Sequence, residues 1–147
     1  MEQGIILAII LGMIAGGAVA FQGALNTLLS KTVGIWEANL FVHLSGAVLL
    51  ILLLVFGLGQ GSLIKITTAP KISLIGGMLG VLVVSGSIVA ITKLGVSMAL
   101  ALLILAQLIA AATIDHYGWL GTEQISFSIQ RGIAIALLLV GAILMRR

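Results

Sequence analysis

Four amide and imidazole side chains stand where an apolar chain has least use for them: Gln22, Asn26, His43 and Gln107, each set among runs of Leu, Ile, Val and Ala. Gln22 and Asn26 lie four residues apart and so share one helix face. Asn39, His43 and Gly46 line another face at similar spacing. Such groups cost free energy in hydrocarbon unless they meet a partner, a cavity or a solute. Amides offer donors and acceptors together, and an imidazole can also carry a proton near neutral pH. The chemistry indicated is recognition of a small-molecule substrate, with Gln22, Asn26, His43 and Gln107 as the binding candidates. Hydrogen bonding to a neighbouring helix is the alternative for each.

A second constellation is ionic. Asp115 falls at the C-terminal end of an apolar run, where the helix macrodipole disfavours an anion. Arg131 falls about one turn inside the next run, on the same side of the membrane. A charge at that depth costs up to about 3 kcal/mol unless it is paired or reaches the interface. An Asp115–Arg131 pair, joined by His116, answers both problems and reads as structural or coupling rather than catalytic. No phosphate-binding glycine loop, metal-ligand cluster or nucleophile beside a base occurs, so neither an enzyme nor a metal or other cofactor is expected. Cysteine is absent, which removes disulfides and thiol chemistry.

The elements that must position these groups are hydrophobic helices. Of 147 residues, 61% are hydrophobic and 7% are charged, against about 25% charged in a soluble domain. Crossing about 30 Å of hydrocarbon takes about 20 apolar residues. Five such spans are expected, over 4–29, 36–58, 72–92, 97–114 and 127–145, forming one transmembrane domain over 1–147. The fold class is all-α and polytopic, because buried backbone amides in lipid must be satisfied within each segment. Ala18-Val19-Ala20 resembles a signal cleavage site, but Glu2 without a nearby Lys or Arg argues for a retained first helix. Gly12 with Gly16, and Gly76 with Gly80, show the small-xxx-small spacing that lets helices approach closely. Ser85-Gly86-Ser87 reads as ordinary helix packing, with a kink or hinge as the alternative, and Glu37 beside Trp36 reads as interfacial.

The net charge of +3 comes from scattered Lys and Arg rather than from a patch, so the chain's surroundings are a lipid bilayer and not nucleic acid. With five crossings, Lys65, Lys71 and Arg131 fall on one side and Lys31, Lys93, Arg146 and Arg147 on the other. Orientation by the positive-inside rule needs a clear excess on one side. Two readings stay open: a single orientation dominated by the C-terminal Arg pair, or dual topology with pairing to an inverted copy. Inverted pairs of that kind hold their substrate near the bilayer midplane.

The chain resembles the YdcZ-like branch of the drug/metabolite transporter superfamily, small five-helix proteins of the bacterial inner (plasma) membrane. The matching residues are the Lys93-Leu94-Gly95-Val96 turn, Gln107, and Asp115-His116-Tyr117-Gly118-Trp119-Leu120-Gly121, against a family pattern of an "LGV" turn, a helix carrying "Q" and a "DHFG-x-x-G" ending. Gln22 with Asn26, Ser45-Gly46, and Arg131 with Gly141 add to it. The chain departs at Gly34-Ile35-Trp36-Glu37, where the family carries a proline. The resemblance implies half of a ten-helix inverted-repeat transporter unit, completed by an inverted second copy or a paralogous subunit. It thereby favours dual topology and a secondary transporter of a small polar solute. Small multidrug-resistance relatives use a glutamate within helix one; here that region offers Gly12, Gly16, Gly17 and Gln22. This argues against the alternative of a cation exporter and leaves a non-transporting assembly subunit as the other alternative.

Overall fold

The structure is a computed structural model that describes residues 2–145; within them the regular elements are all helical. They are α1 (Glu2–Val33), α2 (Ile35–Val55), α3 (Gly76–Leu94), α4 (Val96–Tyr117) and α5 (Ile129–Leu144). Arg146 and Arg147, counted in the charge balance, lie outside the described residues. α1, α2, α4 and the segment Lys71–Leu94 are each long and apolar enough to cross a membrane. α5 is a shorter apolar helix of 16 residues, about 24 Å at 1.5 Å per residue. At 32 residues α1 reaches about 48 Å and must tilt or project beyond a hydrocarbon layer of about 30 Å.

Helix ends differ from the expected spans for local reasons. α1 runs on through Ser30-Lys31-Thr32 and ends at Val33, the turn falling on Gly34. The Thr27 hydroxyl donates to the Gly23 carbonyl at 2.8 Å and the Ser30 hydroxyl to the Thr27 carbonyl at 2.9 Å. Both polar groups are therefore satisfied by their own helix. α3 begins later than expected, because residues Leu63–Thr68 and Lys71–Ile75 form short 3-10 turns on either side of Pro70. α3 then runs as one helix through Ser85-Gly86-Ser87; the Ser87 hydroxyl donates to the Val83 carbonyl at 2.6 Å.

Two helix pairs are joined by a single residue. Gly34 links α1 to α2 with φ 99° and ψ 160°, and Gly95 links α3 to α4 with φ 79° and ψ 166°. This region is open essentially to glycine alone. Each glycine N–H donates back, to Ser30 at 3.0 Å and Ile91 at 2.9 Å. Each glycine carbonyl accepts the first bond of the next helix, from Ala38 and from Ala99, both at 3.1 Å. One residue thus ends one helix and starts another without stranding a backbone group. Any side chain at Gly34 would also collide with the Glu37 carboxylate. That carboxylate lies in the first turn of α2, where the macrodipole favours an anion.

The chain divides into two compact units between Val89 and Ala90, within α3. In the first, α1 packs on α2, and its buried residues include Asn26, Thr27, Ala38, Asn39 and Ile88. In the second, α4 packs on α5, burying Ala99, Leu105, Ala112 and Ala142.

Candidate functional site

In the first unit the polar residues gather on α2 and α3. Asn39, the fifth residue of α2, is 2% exposed. Its Nδ2 donates to the Val81 carbonyl at 2.8 Å and to Ser85 Oγ at 2.6 Å. Its Oδ1 is buried without a hydrogen-bond partner, a state that costs about 1–3 kcal/mol. One turn further, His43 Nδ1 lies 2.9 Å from the Asn39 carbonyl. A carbonyl only accepts, so Nδ1 holds the hydrogen, and Nε2 of the neutral ring is left as an acceptor. Nε2 faces α3 at Gly80, where an added methyl would stand 3.1 Å from it. Gly80 therefore makes room for an imidazole.

Asn26 is buried in α1, whereas Gln22 is exposed; the two helix neighbours do not share an environment. His43 is half-buried. Gln107 belongs to the other unit and is exposed, not turned to an interior. The close helix approach expected at Gly12, Gly16 and Gly76 is also missing, since nothing lies within 4 Å of a methyl placed at any of them. Of the four packing glycines, Gly80 is the one with a neighbour, and that neighbour is a side chain. Asn39 is not among the sequence-derived site residues, although it shares the face of His43, and Ser85 reads from the sequence as helix packing. The signal for both was their spacing, four residues before His43 and one turn beyond Val81.

In the second unit Arg131 Nη1 lies 3.2 Å from Asp115 Oδ2, with both side chains 34% exposed. Asp115 is in the last turn of α4 and Arg131 is the third residue of α5. His116 does not join the pair. Its Nδ1 instead accepts the Phe127 N–H at 3.2 Å, and its carbonyl accepts from Gln124 Nε2 at 3.1 Å. The Asp115 carbonyl takes the Ile125 N–H at 2.8 Å. The loop after α4 is thus stitched back onto the helix end, satisfying carbonyls that would otherwise be orphaned. Ser128 caps α5, its hydroxyl accepting from the Arg131 N–H at 3.3 Å. Tyr117 stacks on Trp119 at 5.1 Å, in keeping with aromatic rings at a membrane boundary. Beside the ion pair lies an apolar cleft of about 240 Å³ between Leu108, Ala111, Ala134 and Leu138. Among the described residues no three His, Asp or Glu side chains gather closely enough to hold a metal.

Residues 7–144 match the model of the family described as "Putative inner membrane exporter, YdcZ". The chain belongs to that family. It is accordingly a multi-pass protein of the inner membrane, built for transport, and its apolar helices are the spanning elements. No curated protein and no solved structure matches the chain.

Proposed function

We propose that this exporter-family protein moves a small polar solute, as a secondary transporter, through a midplane site completed by a second, inverted copy of itself. The observation that carries the reading is an inside-out distribution on one helix. Asn26 is 8% exposed, while Phe21 and Leu28 nearby on α1 are 76% and 63% exposed. At this level the helix turns Asn26 inward and Phe21 and Leu28 outward, which suits lipid outside and a polar solute within, while Gln22 stays on the exposed side. Further polar groups of the same unit are Asn39, His43 and Ser85 on α2 and α3.

Pairing is supported by what one chain leaves bare. Gln22 and Gln107 are exposed and Gly12 and Gly16 are uncontacted, although amides and small-residue stripes are the usual means of helix association in lipid. Lys and Arg are split three against four across the membrane, which leaves orientation weakly specified. A paralogous partner in place of a second copy would serve the same geometry.

Orientation is measured by fusing topology reporters to the C-terminus. Signal from both sides of the membrane is expected; a single location removes the inverted pair. Substrate binding is measured by a thermal-shift screen of small polar solutes, where saturation at 100 times the Kd adds about 2.7 kcal/mol. The stabilisation given by any solute found should be lost in Asn26→Ala while the dimer persists. An unchanged shift assigns Asn26 to helix packing.

A further inference from the structure

We propose that the inverted second copy docks on α4, with Gln107 at the two-fold axis bonding to its counterpart in the other chain. The inference rests on the inverted pair of the proposed function and names the surface on which the two copies meet. It makes Gln107 an interface residue and not a solute ligand.

Two observations concern the amide. Gln107 is the twelfth of the 22 residues of α4, so it lies half-way across the span. It is exposed, and among the described residues its side chain has no hydrogen-bond partner. An amide left bare at that depth is costly in hydrocarbon. A primary amide is also its own complement, because its N–H donates to a facing carbonyl oxygen while its own oxygen accepts in return.

The third observation is the distribution of bulk around it. Residues three and four positions away share the face of Gln107. On the N-terminal side these are Leu103 and Ile104, both large; on the C-terminal side they are Ala110 and Ala111, both small. Ile104 is 46% exposed, and both alanines are exposed. Turning a second α4 upside down about Gln107 brings Leu103 and Ile104 of one copy level with Ala110 and Ala111 of the other. Large then meets small on both sides of the axis, and the alanines let the backbones approach. Parallel copies would instead set Leu103 and Ile104 against themselves and leave a gap between the alanines. The face is therefore self-complementary only when one copy is inverted. In an inverted pair the residue that meets its own counterpart is the one at the helix centre, and the amide holds that place. An acyl chain offers Gln107 no hydrogen bond, and an unrelated helix would need no such symmetry about it.

The test exploits a chain that contains no cysteine, so each introduced thiol is unique. Single-cysteine versions of the full chain are oxidised in the membrane with copper–phenanthroline. Gln107→Cys should form disulfide-linked dimers about tenfold more readily than Ile109→Cys, since facing thiols alone meet the geometry of the bond. Ile109 is 48% exposed but lies on the far side of α4. Leu103→Cys and Ala110→Cys, each carrying a different tag and each keeping Gln107, are then produced together. The mixed disulfide should dominate over both like-with-like products. Gln107→Leu should raise the dimer Kd in mild detergent about tenfold, as the loss of two interhelical hydrogen bonds.

Like-with-like products in excess mean parallel copies and overturn this interface together with the inverted pair. Dimers linked through Ile109→Cys and not Gln107→Cys overturn the α4 face and leave inverted pairing standing. Failure of every position to cross-link overturns the α4 face as well, and an unchanged Kd in Gln107→Leu removes the amide pair. A dimer that links as expected and binds no solute supports the interface and removes the transport reading.

Discussion

Asp115→Asn is expected to destabilise the protein by about 1–3 kcal/mol, and reversing the pair should more than repair the loss. Asp115 lies in the last turn of α4 and Arg131 in the first turn of α5. Each charge therefore occupies the end of its helix that the macrodipole disfavours, at about 0.3–1 kcal/mol apiece. Each is tolerated because the other is 3.2 Å away. Exposed pairs are worth about 0.2–1 kcal/mol and breaking a buried one costs about 3–5; this pair, a third exposed beside an apolar cleft, falls between. Neutralising Asp115 alone strands Arg131 at an unfavourable end. The double variant Asp115→Asn with Arg131→Gln removes both penalties and should unfold later than either single variant. In Asp115→Arg with Arg131→Asp, each charge moves to the favoured helix end while the attraction is kept, so stability should equal or exceed that of the original. Unfolding in mild detergent across this double-mutant cycle reads the coupling directly. Additive effects, with no recovery on reversal, would mean the two side chains do not interact.

Gly34→Ala and Gly95→Ala should both be strongly damaging, and by similar amounts. Both residues hold a backbone conformation that costs a side chain about 1–3 kcal/mol. At Gly95 nothing stands within 4 Å of an added methyl, so the backbone strain is the whole effect. At Gly34 the methyl also meets the Glu37 carboxylate, but that group ends an exposed, flexible side chain that can swing aside. Combining Gly34→Ala with Glu37→Ala should therefore recover little of the loss. Thermal unfolding of the three variants decides it, and a negligible loss at either glycine would exclude the backbone strain there.

The spans were legible because apolar length is a strong signal, but their ends were not. Leu58, Leu63, Ile64, Ile72 and Leu74 are as apolar as any helix residue, yet they lie in the connector between α2 and α3. Hydropathy does not separate the last turn of a helix from an apolar 3-10 turn beside it. The break read at Ser30-Lys31-Thr32-Val33-Gly34 falls only at its last residue: α1 stays helical to Val33 and the chain turns at Gly34. The site was legible in part for an analogous reason. Spacing of four placed Asn39 with His43, a relation internal to one helix. Which helix that face meets is a relation between distant segments, so the bonds to Val81 and Ser85 carried no local trace. Gln22 and Gln107 illustrate the same limit, since polarity within an apolar run reveals the cost of a side chain and not its direction.

The first one-residue link has a consequence for how the chain enters the bilayer. α1 packs back on α2 as a hairpin whose tip is a single glycine, Gly34, with its N–H and carbonyl already bonded. Carrying such a tip across during synthesis moves almost no hydrated backbone; the charges beside it are Lys31 and Glu37, of opposite sign. This hairpin can thus pass the insertion machinery as a preformed block, with little to tell it which compartment the tip belongs in.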